Sequence, residues 1–337
     1  MGRGIGDQNM RIRGTFSVES RQQSQLGLSL IELMIALVVG LLLLGGLIQI
    51  YLSNKQSYNA QEQLARMQES GRFSMDIITR DLRRAGFWGG NVDILANGGN
   101  PGPAPPQHSC TIDDRWGRMI GWRVSGLNNT NAGYATCTTN YIPGTDLLTI
   151  RYAGPETISG ALAANGLFLR STMFLGRVMT GALAAEPENQ APPDPTFAPG
   201  HLAPVVRSLV SHGYYIGNSA RTCPGGEVIP ALRRIRLDAQ TGTPVSEEIA
   251  SGVEQLQVRY LLDDTYLDAD AIPLDQWRFV RAVRVWLLVR GDCPEQGLVN
   301  DTNYVMGDLA TWPTDAPDNF RRQLYVSTVM LRNTAVR

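Results

Sequence analysis

The apolar and polar positions divide this chain into three stretches. From Leu33 to Asn54 no residue is charged. Those 22 positions, at ~1.5 Å rise each, match a hydrocarbon core of ~30 Å. No second run of this kind follows. After Lys55 the pattern becomes amphipathic. Tyr58 opens it, and Leu64, Met67, Gly71, Met75, Ile78 and Leu82 then fall on one helical face. Gln61, Glu62, Arg66, Glu69, Arg72, Asp76, Arg80 and Arg83 occupy the other. Gly86 and the turn residues of "GFWGGN" stop it. The spacing predicts one helix over 28–86, transmembrane over 28–54 and amphipathic over 55–86.

The third stretch, 87–337, reads as strands. Val283, Val285, Leu287 and Val289 alternate with Arg284, Trp286, Leu288 and Arg290, the signature of a half-buried strand. Val253, Leu256, Val258 and Tyr260 give an extended pattern, and Tyr325–Leu331 is β-branched and aromatic. Asp146–Tyr152 and a short Arg234–Leu237 are further strand candidates, with Asp238–Gly242 as the hairpin turn after the latter. Pro-rich 101–106 and 192–204 are expected to be surface loops. The fold class is α+β: one long N-terminal helix packed on a mostly antiparallel β domain.

Composition changes this picture little. The chain has 337 residues, 43% hydrophobic and 18% charged, with a net charge of −1. Those values exclude wholesale disorder and give no bulk attraction to nucleic acid. Arg83-Arg84, Arg233-Arg234-Arg236 and Arg321-Arg322 are read as solvated faces and ion pairs, so no nucleic-acid partner is expected. Arg3, Arg11, Arg13 and Arg21 precede the apolar run and orient it with that side cytoplasmic. Lys55 and Arg66 on the far side reduce the contrast. The segment after about residue 54 is then exported, where disulfides persist. Cys110, Cys137, Cys223 and Cys293 all lie there. Four cysteines allow three connectivities, and proximity in sequence favours Cys110–Cys137 with Cys223–Cys293. No C-x-x-C exists, which argues against a redox or zinc role.

Candidate chemistry is sparse. His108, His201 and His212 are the only histidines, and none has ligand spacing. There is no nucleophile elbow, phosphate loop or dinucleotide fingerprint, so neither an enzyme nor a cofactor is expected. Asp263, Asp264, Asp268 and Asp270 offer oxygen ligands for calcium but lack the Gly and terminal Glu of an EF-hand loop. They are read as a solvated acidic turn, with calcium left open.

One residue resists the plain reading of the apolar run. Glu32 stands at its head, and a carboxylate at mid-bilayer costs roughly 2.5–3.5 kcal/mol on insertion scales, less near an interface. A secretory signal fits poorly, because the run is too long and no A-x-A site follows. A simple anchor leaves Glu32 unexplained. Gly27 followed by Leu28-Ser29-Leu30-Ile31-Glu32 resembles the prepilin cleavage site of type IV pilins and type II secretion pseudopilins. The resemblance implies cleavage after Gly27, removal of a leader over 1–27 and N-methylation of Leu28. It also implies a charge pair between Glu32 and the terminal ammonium of a neighbouring subunit during assembly. Within one chain, residues four apart share a helical face, so the new amine and Glu32 are neighbours. The sequence departs from the family in three ways. Leu28 replaces the usual Phe, Gln49 stands where major pilins carry Pro, and the leader is long unless Met10 is the true start.

"QEQLARMQESGRFSMDIITRDLRRAGFWG" resembles the helix end of PilW-type minor pilins, relatives of the J-type pseudopilins of type II secretion. "GVEQLQVRYLLDD", "FVRAVRVWLLVRG" and "RRQLYVSTVMLRN" follow in that family's order. Residues 90–230 carry little of the resemblance. It implies a minor pilin, held by a single span in the inner membrane, with a periplasmic globular domain over 87–337, and later incorporated in the pilus. It implies a role in a minor-pilin complex that primes type IV pilus assembly near the tip. The implied partners are other minor pilins, the major pilin, the prepilin peptidase, the inner-membrane assembly machinery and a tip adhesin. The alternative is a minor pseudopilin of a type II secretion system. A membrane-anchored enzyme or DNA-uptake receptor is disfavoured.

Overall fold

The computed structural model describes residues 27, 29–90, 97–98, 110, 115–172, 176–189, 204–314 and 316–333. The Pro-rich stretch at 101–106, nearly all of that at 192–204, His108, His201 and Leu28 lie outside the described residues. The chain forms two compact units, divided after Lys55.

The described part of the first unit is the opening of helix α1, Leu30–Arg84. Ser29 starts it: its Oγ accepts the N–H of Ile31 at 3.2 Å, and its carbonyl accepts those of Glu32 and Leu33. A side-chain oxygen that takes up an orphan first-turn N–H is what an N-cap supplies. Gly40, Gly45 and Gly46 leave the helix unbroken, because glycine lowers helix propensity without removing a hydrogen bond. Almost every residue from Leu30 to Lys55 is exposed, including Leu30, Leu42 and Leu47 at 77%, 73% and 66%. This portion is long and apolar enough to cross a membrane.

In the second unit the remainder of α1 buries Met67, Gly71, Ser74, Ile78, Thr79, Asp81 and Leu82. The buried stripe differs from the expected one in detail. Ser74 takes the position given to Met75, which is half-buried, and Tyr58 and Leu64 are exposed. Close approach at Gly71 accounts for the rotation: a Cβ there would stand 2.2 Å from the ring of Tyr325. Gly86, at φ +74°, ends the helix in the left-handed region that glycine enters without a Cβ penalty. Its N–H bonds the carbonyl of Arg151.

Among the described residues twelve strands follow: β1 Asn97–Gly98, β2 Val124–Leu127, β3 Leu147–Ala153, β4 Leu167–Ser171, β5 Gly176–Thr180, β6 Val205–Thr222, β7 Val228–Leu237, β8 Pro244–Ser251, β9 Val253–Leu262, β10 Thr265–Leu267, β11 Ala282–Arg290 and β12 Arg322–Met330. A one-turn helix α2, Arg115–Arg118, precedes β2. The large sheet runs β1-β5-β4-β6-β3-β2, and β7 joins β6 and carries β8. The small sheet runs β10-β9-β11-β12. All pairings are antiparallel except β1 with β5. The α+β class read from the sequence is the observed one.

Strand β6 is the hub of the large sheet. Its first residues pair β4, Leu209–Tyr214 pair β3, and His212 onward pairs β7. The sequence shows no alternation there, because Gly213, Gly217, Asn218 and several serines interrupt it. Gly217 fits a close backbone approach: a Cβ would lie 2.8 Å from the carbonyl oxygen of Thr139. The short strand expected at Arg234–Leu237 is the end of the ten-residue β7.

One apolar core joins α1 to both sheets, with Met67, Ile78 and Leu82 against Ile150, Ile216, Val258, Val285 and Leu287. Two smaller clusters lie elsewhere in the large-sheet region, one around Trp88, Leu169 and Leu209 and one around Trp116, Tyr134 and Tyr215. Cys110 and Cys137 are joined within the latter cluster. Cys223, just past β6, is joined to Cys293, just past β11, which ties the two sheets together.

Candidate functional site

The N-terminal elements form the first candidate site. Gly27 is exposed, with open space around its Cα. Two residues on, Ser29 caps the helix and Glu32 is the acid of its first turn. Ser29-Leu30-Ile31-Glu32 therefore has the spacing of a capping box. A carboxylate in the first turn is favoured by the helix dipole, worth about 0.3–1 kcal/mol. The exposed Glu32 has no ion pair with another described residue. Sequence reading passed over the Ser29 cap, although the S-x-x-E spacing was available to find it.

The second candidate is a buried polar cluster that sequence reading missed. Asp81, 5% exposed, lies on α1 between Ile78 and Leu82. Its Oδ1 accepts the hydroxyl of Tyr152 at 2.7 Å. Its Oδ2 accepts the hydroxyl of Tyr214 at 2.6 Å and Nδ1 of His212 at 2.5 Å. Burial pushes the carboxyl up, but the His212 hydrogen bond and charge, with both tyrosine hydroxyls, bring it below the ordinary range. Burial and the Asp81 charge raise both tyrosines. The cluster binds α1 to β3 and β6. Its signal in sequence is a carboxylate inside the apolar stripe of "IITRDL".

A second buried carboxylate is held differently. Asp146, 2% exposed, precedes β3. It accepts the N–H of Asn129 at 2.9 Å and that of Val258 at 2.7 Å. Burial outweighs these two amides and pushes it up to about 7.

The arginine runs separate on folding. Arg83 and Arg84 are exposed. Arg234 and Arg236 share Glu247, and Arg233 lies 3.6 Å from Glu248. Arg321 pairs Glu295, but Arg322 is not on a solvated face: its side chain is 1% exposed. Its guanidinium bonds both oxygens of Glu254, at 2.6 and 3.1 Å, and both of Asp318, at 2.8 and 2.5 Å. A planar fork matches two carboxylates in this way, where a lysine could not.

The acidic run is dispersed. Asp263 and Asp264 form the two-residue turn between β9 and β10. Asp268 is held by Arg259 at 2.6 and 3.1 Å, and Asp264 lies 4.0 Å from Arg281. Among the described residues no group of three or more His, Cys, Asp or Glu side chains is arranged to hold a metal ion.

Comparison with known proteins places these features in a family context. Residues 213–333 match the family described as type IV pilus-assembly protein W. Residues 22–48 match the prokaryotic N-terminal methylation motif, which takes in Gly27, Leu28, Ser29 and Glu32. A solved structure, the type IV-like pilin TTHA1219 from Thermus thermophilus, aligns with a TM-score of 0.37 and 12% identity. The alignment covers 80% of this chain and 99% of that one. No curated protein matches the chain.

Proposed function

We propose that this chain is a type IV pilin of the PilW type, and that it is a minor pilin that helps to start the filament. In this reading Gly27 is the cleavage position, and Leu28 becomes the methylated N-terminus. The apolar segment from Leu28 to Lys55 anchors the protein in the inner membrane and later enters the filament core. The domain after it folds in the periplasm. Other minor pilins, the major pilin, the prepilin peptidase, the inner-membrane machinery and a tip adhesin are the partners.

The observation that carries the proposal is the N-terminal layout. An exposed glycine, a capped apolar helix and one first-turn carboxylate stand together, inside a region that matches the methylation motif. Cleavage after Gly27 creates an α-amino group four residues before Glu32. In the assembled filament the ammonium of a neighbouring subunit neutralises Glu32, so the charge that is costly in lipid favours docking. Two disulfides in the globular part support an oxidising compartment. The match to a pilus-assembly family supports the pilus over the secretion pseudopilus.

Deletion of the protein should abolish or sharply reduce surface pili. Gly27→Val should leave the leader attached, because the peptidase must admit a residue without a side chain there. Mass spectrometry of the wild-type protein should find N-methylated Leu28 at the terminus. An intact leader in piliated wild-type cells overturns the reading.

A further inference from the structure

Strand β12 has an open edge. Among the described residues it ends the small sheet and pairs β11 alone, through nine consecutive residue pairs without a register shift. From Gln323 to Met330 its backbone makes no hydrogen bond outside that ladder to another described residue. The nine residues contain neither Pro nor Lys. Their one charge, Arg322, is buried in its ion pairs. Exposed strand edges are ordinarily protected by such residues, by bulges or by shortness. The other outer strands here show those devices. β8 opens with Pro244, carries Glu247 and Glu248 and has a register shift. β1, β2 and β10 have two, four and three residues.

Side chains along the edge specify what it accepts. Val326 and Met330 are 53% and 59% exposed and share a face with Arg284, whose Nε donates to Thr328 Oγ1 at 3.1 Å. Arg284 also stacks on Tyr266, 4.3 Å from the ring centroid. Arg72 acts electrostatically on Tyr325, and exposed Arg332 follows the strand. Neither 282–290 nor 323–333 contains an acid. We propose that β12 receives an extended strand, apolar at alternate positions and carrying carboxylates, from a different subunit of the pilus. Main-chain bonds supply affinity in such strand addition, and alternate side chains supply specificity. Two copies of β12 edge to edge would bring together two edges that carry Arg284 and Arg332 and no acid in 282–290 or 323–333, so charge disfavours self-pairing. The subunit class of the partner rests on the pilin reading above.

The test uses the full-length protein in piliated cells. A photoreactive residue is placed at Val326, at Met330, or at the control position Val299, which is 73% exposed in the β11–β12 loop. Adducts with another pilin subunit should form from the first two positions at roughly tenfold the control yield, a difference of about 1.4 kcal/mol. Val326→Lys should lower the Met330 adduct by about tenfold, while protein level and both disulfides persist. Hydrogen exchange on the solubilised complex should show slowed amides within 323–330. Equal yields from Val299, adducts with a second copy only, or unchanged exchange in 323–330 each overturn the proposal. If deletion of the protein leaves pili intact, the pilin role fails, and the adducts still decide whether the edge is occupied. If pili need the protein but Val326→Lys changes neither adducts nor exchange, only the edge proposal fails.

Discussion

Glu32 and Asp81 lie on one helix and meet opposite fates. Glu32 is exposed in the first turn, with no ion pair to another described residue. Asp81 is buried near the last turn, with two tyrosine hydroxyls and a histidine N–H directed at it. The helix-forming chemistry around them is alike. What differs is whether the chain folds back to supply partners. A carboxylate satisfied within its own chain contributes to stability; one left open is available to another molecule. The assembly role proposed for Glu32 therefore predicts that stability and assembly separate when two acidic residues on the same element are mutated.

The sharpest way to break this comparison is Asp81→Ala. It leaves His212 and two tyrosine hydroxyls facing an apolar void, at a cost of about 3–5 kcal/mol. Thermal or denaturant unfolding of the solubilised full-length protein measures it. Glu32→Ala should leave the same curve unmoved and lower pilus yield instead, and Glu32→Gln should fare nearly as badly if the pair is electrostatic. Equal loss of stability from both alanine variants would erase the distinction.

Removal of the Cys223–Cys293 bridge, by paired substitution with serine, should cost roughly 2–4 kcal/mol. That bond connects the end of β6 to the end of β11, so the loss should loosen the two sheets relative to one another. Thiol labelling of the denatured, unreduced wild-type protein should find no free cysteine.

Asp146 extends the comparison to pH. Its folded pKa, about 7, is raised above the ordinary 3.8 by burial. Its contribution is fully present below about pH 4 and is lost as pH rises through about 7. Asp81 is lowered, so its contribution is present above the ordinary carboxyl pKa and lost on acidification. Asp146→Asn should flatten the decline between about pH 4 and 7 by roughly 1–3 kcal/mol, and Asp81→Asn should leave that window unchanged. Unfolding free energies across pH decide between them.

The smallest effect concerns the cap. Ser29→Ala should cost about 1 kcal/mol of local helix stability, seen as faster amide exchange at Ile31. If the role of Glu32 lies between subunits, pilus yield should stay close to wild type. A pilus defect equal to that of Glu32→Ala would make the capping box, rather than the charge pair, the function of this turn.

Legibility varied along the chain for physical reasons. The small sheet was visible because β9, β11 and β12 carry β-branched residues with period two. The pairing β10-β9-β11-β12 was not, since alternation fixes faces and not neighbours. β6 was invisible: a strand hydrogen-bonded on both sides tolerates glycine and serine, because its neighbours rather than its side chains hold it. The expected helical stripe was right in period and shifted by one residue at Ser74, where the ring of Tyr325 demanded Gly71 beneath it. Arg322 read as surface because an arginine is ordinarily solvated, and only Glu254 and Asp318 together make its burial tolerable.

By itself the sequence determined the long apolar helix, the place of Gly27 and Glu32 at its head, and the antiparallel character of the body. These follow from local rules of length, periodicity and spacing. Only the tertiary structure decided that Asp81 is enclosed by Tyr152, Tyr214 and His212, that Asp146 lies between two backbone amides, and that β12 pairs β11 alone among the described residues. Each depends on which distant segments arrive at one point, and that is set by the packing of the two sheets against α1 and by no local pattern.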